Sequence, residues 1–146
     1  MRDKIFADAN EMLKQGKKTN LAVLRMVKTA ILEKEREFKK KLDDEKVLDV
    51  ITNQIKTRKE SLEQFKNANR SDLEEQTQKE IDFLNQYLPK QLSSLELDEI
   101  IEEVFQNLQP TGKQDMGLIM KTIMPKVRGR VDMGEVNKKI KEKLGG

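Results

Sequence analysis

Apolar residues recur along the chain every three to four positions, the period of a helix buried on one side. Ile5, Phe6, Ala9, Met12 and Leu13 form one such stripe, which ends near Gly16, a natural residue to follow a helix. Thr19 is placed to cap a second helix, whose stripe runs through Leu21, Leu24, Val27, Ala30 and Ile31 to Phe38. Lys39, Lys40 and Lys41 then complement the negative end of its dipole. Asp43 opens a third helix of about seven turns, with Leu42 and Val47 as a hydrophobic staple and Leu48, Ile51, Ile55, Leu62 and Phe65 on the same side. Ser71 with Glu74 reads as a capping box for a fourth, carrying Leu73, Ile81, Leu84 and Leu88 and stopped by Pro89.

The second half is built from shorter pieces. Ser93 with Glu96 is another capping box, with Leu92 and Leu97 as its staple. The helix it starts has the cleanest stripe in the chain: Leu97, Ile100, Ile101, Val104, Phe105 and Leu108. Its other side carries Asp98, Glu99, Glu102 and Glu103. Pro110-Thr111-Gly112 reads as a turn. Asp115 is placed to cap a sixth helix that closes near Pro125, and Asp132 with Glu135 opens a last one bearing Met133, Val136, Ile140 and Leu144. No sustained period-2 alternation bounded by hairpin turns occurs, so the expected class is all-α. The change of character near Pro89 predicts an N-terminal bundle of long helices over 1–89 and a smaller helical domain over 90–146.

Composition narrows the chemistry. Charged residues make up 38% of the chain and aromatics 4%, which suits thinly apolar packed helices and leaves little for a buried sheet. There is no His and no Cys, which removes the familiar catalytic triads, thiolate nucleophiles, disulfides and the usual zinc sites. Glu33/Glu37 and Glu99/Glu103 have helical spacing but read as solvated faces. Thr111-Gly112-Lys113 resembles the end of a phosphate-binding loop, yet Asn107 and Gln114 stand where that loop needs Gly and Ser or Thr. No catalytic residue, metal or cofactor is expected. No apolar run of membrane-spanning length occurs and Met1-Arg2-Asp3-Lys4-Ile5 is unlike a signal peptide, so the expected location is cytoplasmic and no membrane partner is expected.

Charge changes the picture further. Residues 1–42 carry a net +6, 43–91 a net −3, 92–109 a net −5 and 110–146 a net +5. Within the basic C-terminal stretch, Lys121, Lys126, Arg128 and Arg130 cluster around Gly129, and Lys139 and Lys143 form an i, i+4 pair beside the last apolar stripe. Lys138 and Lys141 lie further round that helix. Arg and Lys so arranged suit phosphate oxygens. No Phe, Tyr or Trp occurs in 110–146 to stack on bases, which favours reading of backbone and shape. The competing reading is that these cations neutralise the acidic fifth helix.

Several motifs carry a resemblance that spans nearly the whole chain. They are Tyr87-Leu88-Pro89-Lys90-Gln91-Leu92-Ser93, Met116-Gly117-x-x-Met120-Lys121, and Met124-Pro125-Lys126-Val127-x-Gly129-Arg130-Val131-Asp132. Leu24-Arg25-x-x-Lys28-x-Ala30-Ile31, Arg58-x-Glu60-Ser61-x-x-x-Phe65 and Arg70-x-Asp72-Leu73 reinforce them. The chain resembles the GatB/YqeY family, in particular its small free-standing bacterial YqeY-like members. That resemblance implies kinship with the helical C-terminal tail of the GatB subunit of tRNA-dependent amidotransferase, which is implicated in holding tRNA. It places Gly117 and Gly129 as points of close backbone approach, and Lys121, Arg130 and Lys143 within the tail's recurring motifs. Gly117 has a second, purely structural reading, in which it lets another helix come close to the sixth.

The function these observations predict is a non-catalytic tRNA- or translation-associated binding module, with tRNA or a translation-associated protein as partner. The alternative is a helical protein-interaction adaptor, working through the acidic fifth helix or the exposed edges of the long helices. Amidotransferase-type carbon–nitrogen ligase activity, with glutamine as amido donor, is implied by the resemblance alone.

Overall fold

The computed structural model describes residues 1–145. Among them the protein is all-helical, with no strand. It divides into two compact units, Met1–Leu88 and Pro89–Gly146.

The first unit holds α1 (Arg2–Gln15), α2 (Lys18–Phe38), α3 (Asp44–Asn67) and α4 (Ser71–Asn85). Its core is mainly aliphatic, with Tyr87 buried among Ile5 and Ala9 from α1; Leu21, Leu24, Val27 and Ile31 from α2; Val47, Ile51 and Ile55 from α3; Ile81 and Leu84 from α4. Full burial of each large side chain contributes about 1.5–3 kcal/mol. Two stripe residues at helix ends are left exposed, Leu13 at 57% and Phe38 at 46%. Phe38 instead lies under the Lys46 ammonium, 5.6 Å from its ring centre. One charge enters the core. Arg58 is 7% exposed and donates from Nε to Glu80 Oε1 at 3.2 Å, from Nη1 to the Gln54 carbonyl at 3.1 Å, and from Nη2 toward Met26 Sδ at 3.4 Å. Because each of its three nitrogens has a partner, Arg58 ties α3 to α4 and α2.

Local capping departs from expectation where connections are tightest. Gly16, at φ 71°, ends α1, and α2 starts two residues later at Lys18. Thr19 is therefore already inside the first turn and caps nothing. Similarly, α3 passes into α4 through Asn69 at φ 56°, with the Arg70 N–H bonded to the Phe65 carbonyl at 2.9 Å. Arg70 becomes the N-cap residue, Ser71 is helical, and the Ser71–Glu74 box does not form. α4 ends at Asn85, four residues before Pro89. Asp43 caps α3 as expected, accepting from the Lys46 N–H at 2.9 Å.

The second unit holds α5 (Ser94–Leu108), a 3-10 turn (Lys113–Asp115), α6 (Met116–Val127) and α7 (Met133–Lys143). Leu97, Ile101, Val104, Ile119, Ile123, Val127, Val136 and Ile140 form its core. The Ser93–Glu96 box is complete in both directions, at 3.1 Å each way. Asp132 caps α7 through the Gly134 N–H. Pro125 does not close α6, which continues to Val127. The proline has no N–H to give the helix, yet the Arg128 N–H closes the last turn on the Met124 carbonyl at 2.9 Å.

Candidate nucleic-acid interface

The fifth helix presents acids beside its apolar stripe, and the lysines expected to bind phosphate lie opposite them. Lys139 Nζ is 2.6 Å from Asp98 Oδ1 and 2.7 Å from Ser94 Oγ. Lys143 Nζ is 2.6 Å from Glu102 Oε2 and 5.3 Å from the centre of the Phe105 ring. Lys126 Nζ is 3.8 Å from Glu103 Oε1. Three of the six expected phosphate ligands thus meet carboxylates of α5. The Lys143 ammonium holds the Glu102 carboxyl below its ordinary pKa. The same pairs occupy three of the four acids that an adaptor working through α5 would use. Glu99 is exposed, as are Glu33 and Glu37. Among the described residues, no cluster of carboxylates could hold a metal ion.

In the Arg–Gly–Arg turn, Arg130 serves the backbone. Arg130 donates from Nε to the Lys90 carbonyl at 3.0 Å and from Nη1 to the Lys126 carbonyl at 3.2 Å. Arg128 is half-buried and engaged within the structure. Gly129 is buried at φ 73°, and its carbonyl accepts from Gln91 Nε2 at 2.8 Å. A buried glycine offers no surface to an approaching ligand backbone, so Gly129 is a turn residue whose φ requires the absence of a side chain.

The loop before α6 is likewise closed to phosphate. Asp115 Oδ2 accepts the Thr111 N–H at 2.7 Å, the Thr111 hydroxyl at 3.2 Å and the Gly112 N–H at 3.3 Å. These are the donors that an anion would need, and they hold the Asp115 carboxyl below its usual pKa. Consequently Asp115 braces the loop behind it and makes no cap bond to α6.

The outer face of α6 is different. A Cβ added at Gly117 would meet nothing within 4 Å among the described residues, so no helix of its own unit packs against it there and its expected role in internal packing is not met. One turn on, Lys121 is exposed, and among the described residues it makes no ion pair. Leu118, between them, is 53% exposed. On α7, Lys138 and Lys141 are exposed, whereas Lys139 and Lys143 reach across to α5. The signal that separates the two pairs lies in the sequence: Asp98/Glu102 and Lys139/Lys143 are both i, i+4 pairs flanking an apolar stripe.

Residues 2–144 match the YqeY-like protein family. The chain belongs to that family. It is also similar to "Altered inheritance of mitochondria protein 41, mitochondrial" of Pyrenophora tritici-repentis, at 31% identity over 146 residues, covering 97% of this chain and 80% of that protein. This YqeY-like chain is related through its family to the C-terminal region of GatB. Among its described residues, no helix is long and apolar enough to cross a membrane.

Proposed function

We propose that this YqeY-like protein is a non-catalytic binding module that holds tRNA by its phosphate backbone, in the cytoplasm. The observation that carries the reading is the open face of α6, where Lys121 stands one turn beyond an uncovered Gly117 with no internal acid to neutralise it. Kinship with the GatB tail supports tRNA as the polyanion. Lys138 and Lys141 supply further outward cations. Lys126, Lys139, Lys143 and Arg130 shape the unit that presents them, and no residue is assigned a chemical step.

The test is tRNA binding by fluorescence anisotropy across a salt series. Lys121→Glu/Lys138→Glu/Lys141→Glu should weaken binding by about tenfold or more and make the slope of log affinity against log salt shallower by roughly two or three. Different tRNAs should be affected alike, because backbone contacts carry no base information. The reading fails if the wild type does not bind tRNA at low salt, or if the triple variant binds equally well.

A further inference from the structure

The first unit carries a surface that the tRNA reading does not use. Lys18, Arg25 and Arg36 fall within about 20° of one another around α2 at 100° per residue, and all three are exposed. None makes an ion pair or a side-chain hydrogen bond among the described residues. Neighbouring cations are already engaged: Lys28 lies 5.0 Å from the centre of the Phe6 ring, and Arg2 grips Glu35. Between Lys18 and Arg36 the only acids are Glu33 and Glu35, and Glu35 is held by Arg2. Flanking the cations, Met26 is 55% exposed and Leu32 38%, whereas the opposite side of α2 buries Leu24, Val27 and Ile31 almost completely. Folding of the unit therefore leaves this apolar and basic stripe uncovered. Exposed Met and Arg together are typical of interface centres, because both adapt their shape and shed water at modest cost.

We propose that the outer face of α2 is a docking surface for an acidic amphipathic helix of a partner protein. Aliphatic side chains of that helix lie over Met26 and Leu32, and its carboxylates face Lys18, Arg25 and Arg36. Those cations span about 27 Å at 1.5 Å per residue, so the partner helix needs about five turns. A second copy of this chain does not fit the role, since its own acidic helix has Asp98, Glu102 and Glu103 already paired. A nucleic-acid strand fits poorly too. Three cations over that length are sparse against one phosphate per about 3.4 Å of strand, and Met26 and Leu32 offer bases no ring to stack on.

The probe is a fluorescein-labelled 20-residue helical peptide with Leu along one face and Glu flanking it, titrated onto the full chain. Wild type should bind it at least about tenfold more tightly than a scrambled peptide of the same composition. Arg25→Glu/Arg36→Glu should lose about tenfold in affinity and should bind the Lys-for-Glu version of the peptide instead. Leu32→Ser should weaken binding several-fold with circular dichroism unchanged. Equal binding of the scrambled peptide, no binding at micromolar concentration, or unchanged affinity of the double variant would overturn the proposal. So would loss of tRNA binding by the double variant with peptide binding intact. Lys121, Lys138 and Lys141 are untouched in these variants, so failure here is distinguishable from failure of the tRNA reading.

Discussion

Arg130 donates to the carbonyls of Lys90 and Lys126, while its own carbonyl receives the Leu92 N–H at 2.8 Å. One residue thereby joins the entry to α5 with the last turn of α6. A guanidinium suits this because its donors point in fixed, divergent directions, whereas an ammonium on its flexible stem has no such rigid fork and gives up more freedom for each bond it forms. Arg130→Ala should destabilise the protein by about 1 kcal/mol through these lost bonds. Arg130→Lys should recover only part of that, as read by urea denaturation. Equal stability of wild type and Arg130→Ala would show the contacts to be incidental. In composition alone, Arg130 is one of nine cations in 110–146, and nothing local distinguishes a backbone clasp from a phosphate clamp.

At the scale of helices, the segregation of charge along the chain becomes a ladder between α5 and α7. Asp98–Lys139 and Glu102–Lys143 ascend together, so the two helices run in the same direction, and α6 makes the return between them. Each rung lies at the surface and contributes roughly 0–1 kcal/mol, screened by salt. Their value is directional: like charges in register would repel. Asp98→Lys should lower the melting temperature, and Asp98→Lys/Lys139→Asp should restore most of it. That difference should shrink in about 1 M salt, where the screening length falls to about 3 Å. If the double swap is no more stable than Asp98→Lys alone, the rung is not an electrostatic contact.

Across the first unit, a single hydrogen bond joins residues 79 positions apart: the Tyr87 hydroxyl donates to Asp8 Oδ2 at 2.6 Å. It is the main cause holding the Asp8 carboxyl below its ordinary pKa, with Lys4 adding to the effect, while burial and the carboxylate push the Tyr87 phenol up. Arg2 lowers Glu35 in the same way, and Glu35 also receives the Leu42 N–H at 2.9 Å. A carboxylate whose pKa is lowered by folding stabilises the fold fully above its unfolded value, near 4. That stability drains away as pH falls through the lowered folded value. Wild type should therefore melt at a higher temperature than Tyr87→Phe at pH 6, and the gap should narrow as pH falls below about 4. A gap independent of pH would mean that Tyr87 acts through packing alone.

The helices themselves were legible in the sequence, because apolar period, Gly16, Asp43 and the Ser93–Glu96 box act through residues a few positions apart. Thr19 and Ser71 misled for a related reason: a cap is defined by where the preceding helix lets go, and tight αL turns at Gly16 and Asn69 moved each start upstream. Asp115 and Pro125 misled because side-chain and loop geometry outweighed the local signal. Which cations remain available was beyond the sequence read one helix at a time. Lys139 and Lys138 are chemically identical neighbours, and only the packing of α7 on α5 sends one to Asp98 and leaves the other in solvent. Periodicity and caps are local and are written in sequence. A charge is neutralised by whatever lies within a few ångströms, and that neighbour is chosen by tertiary packing.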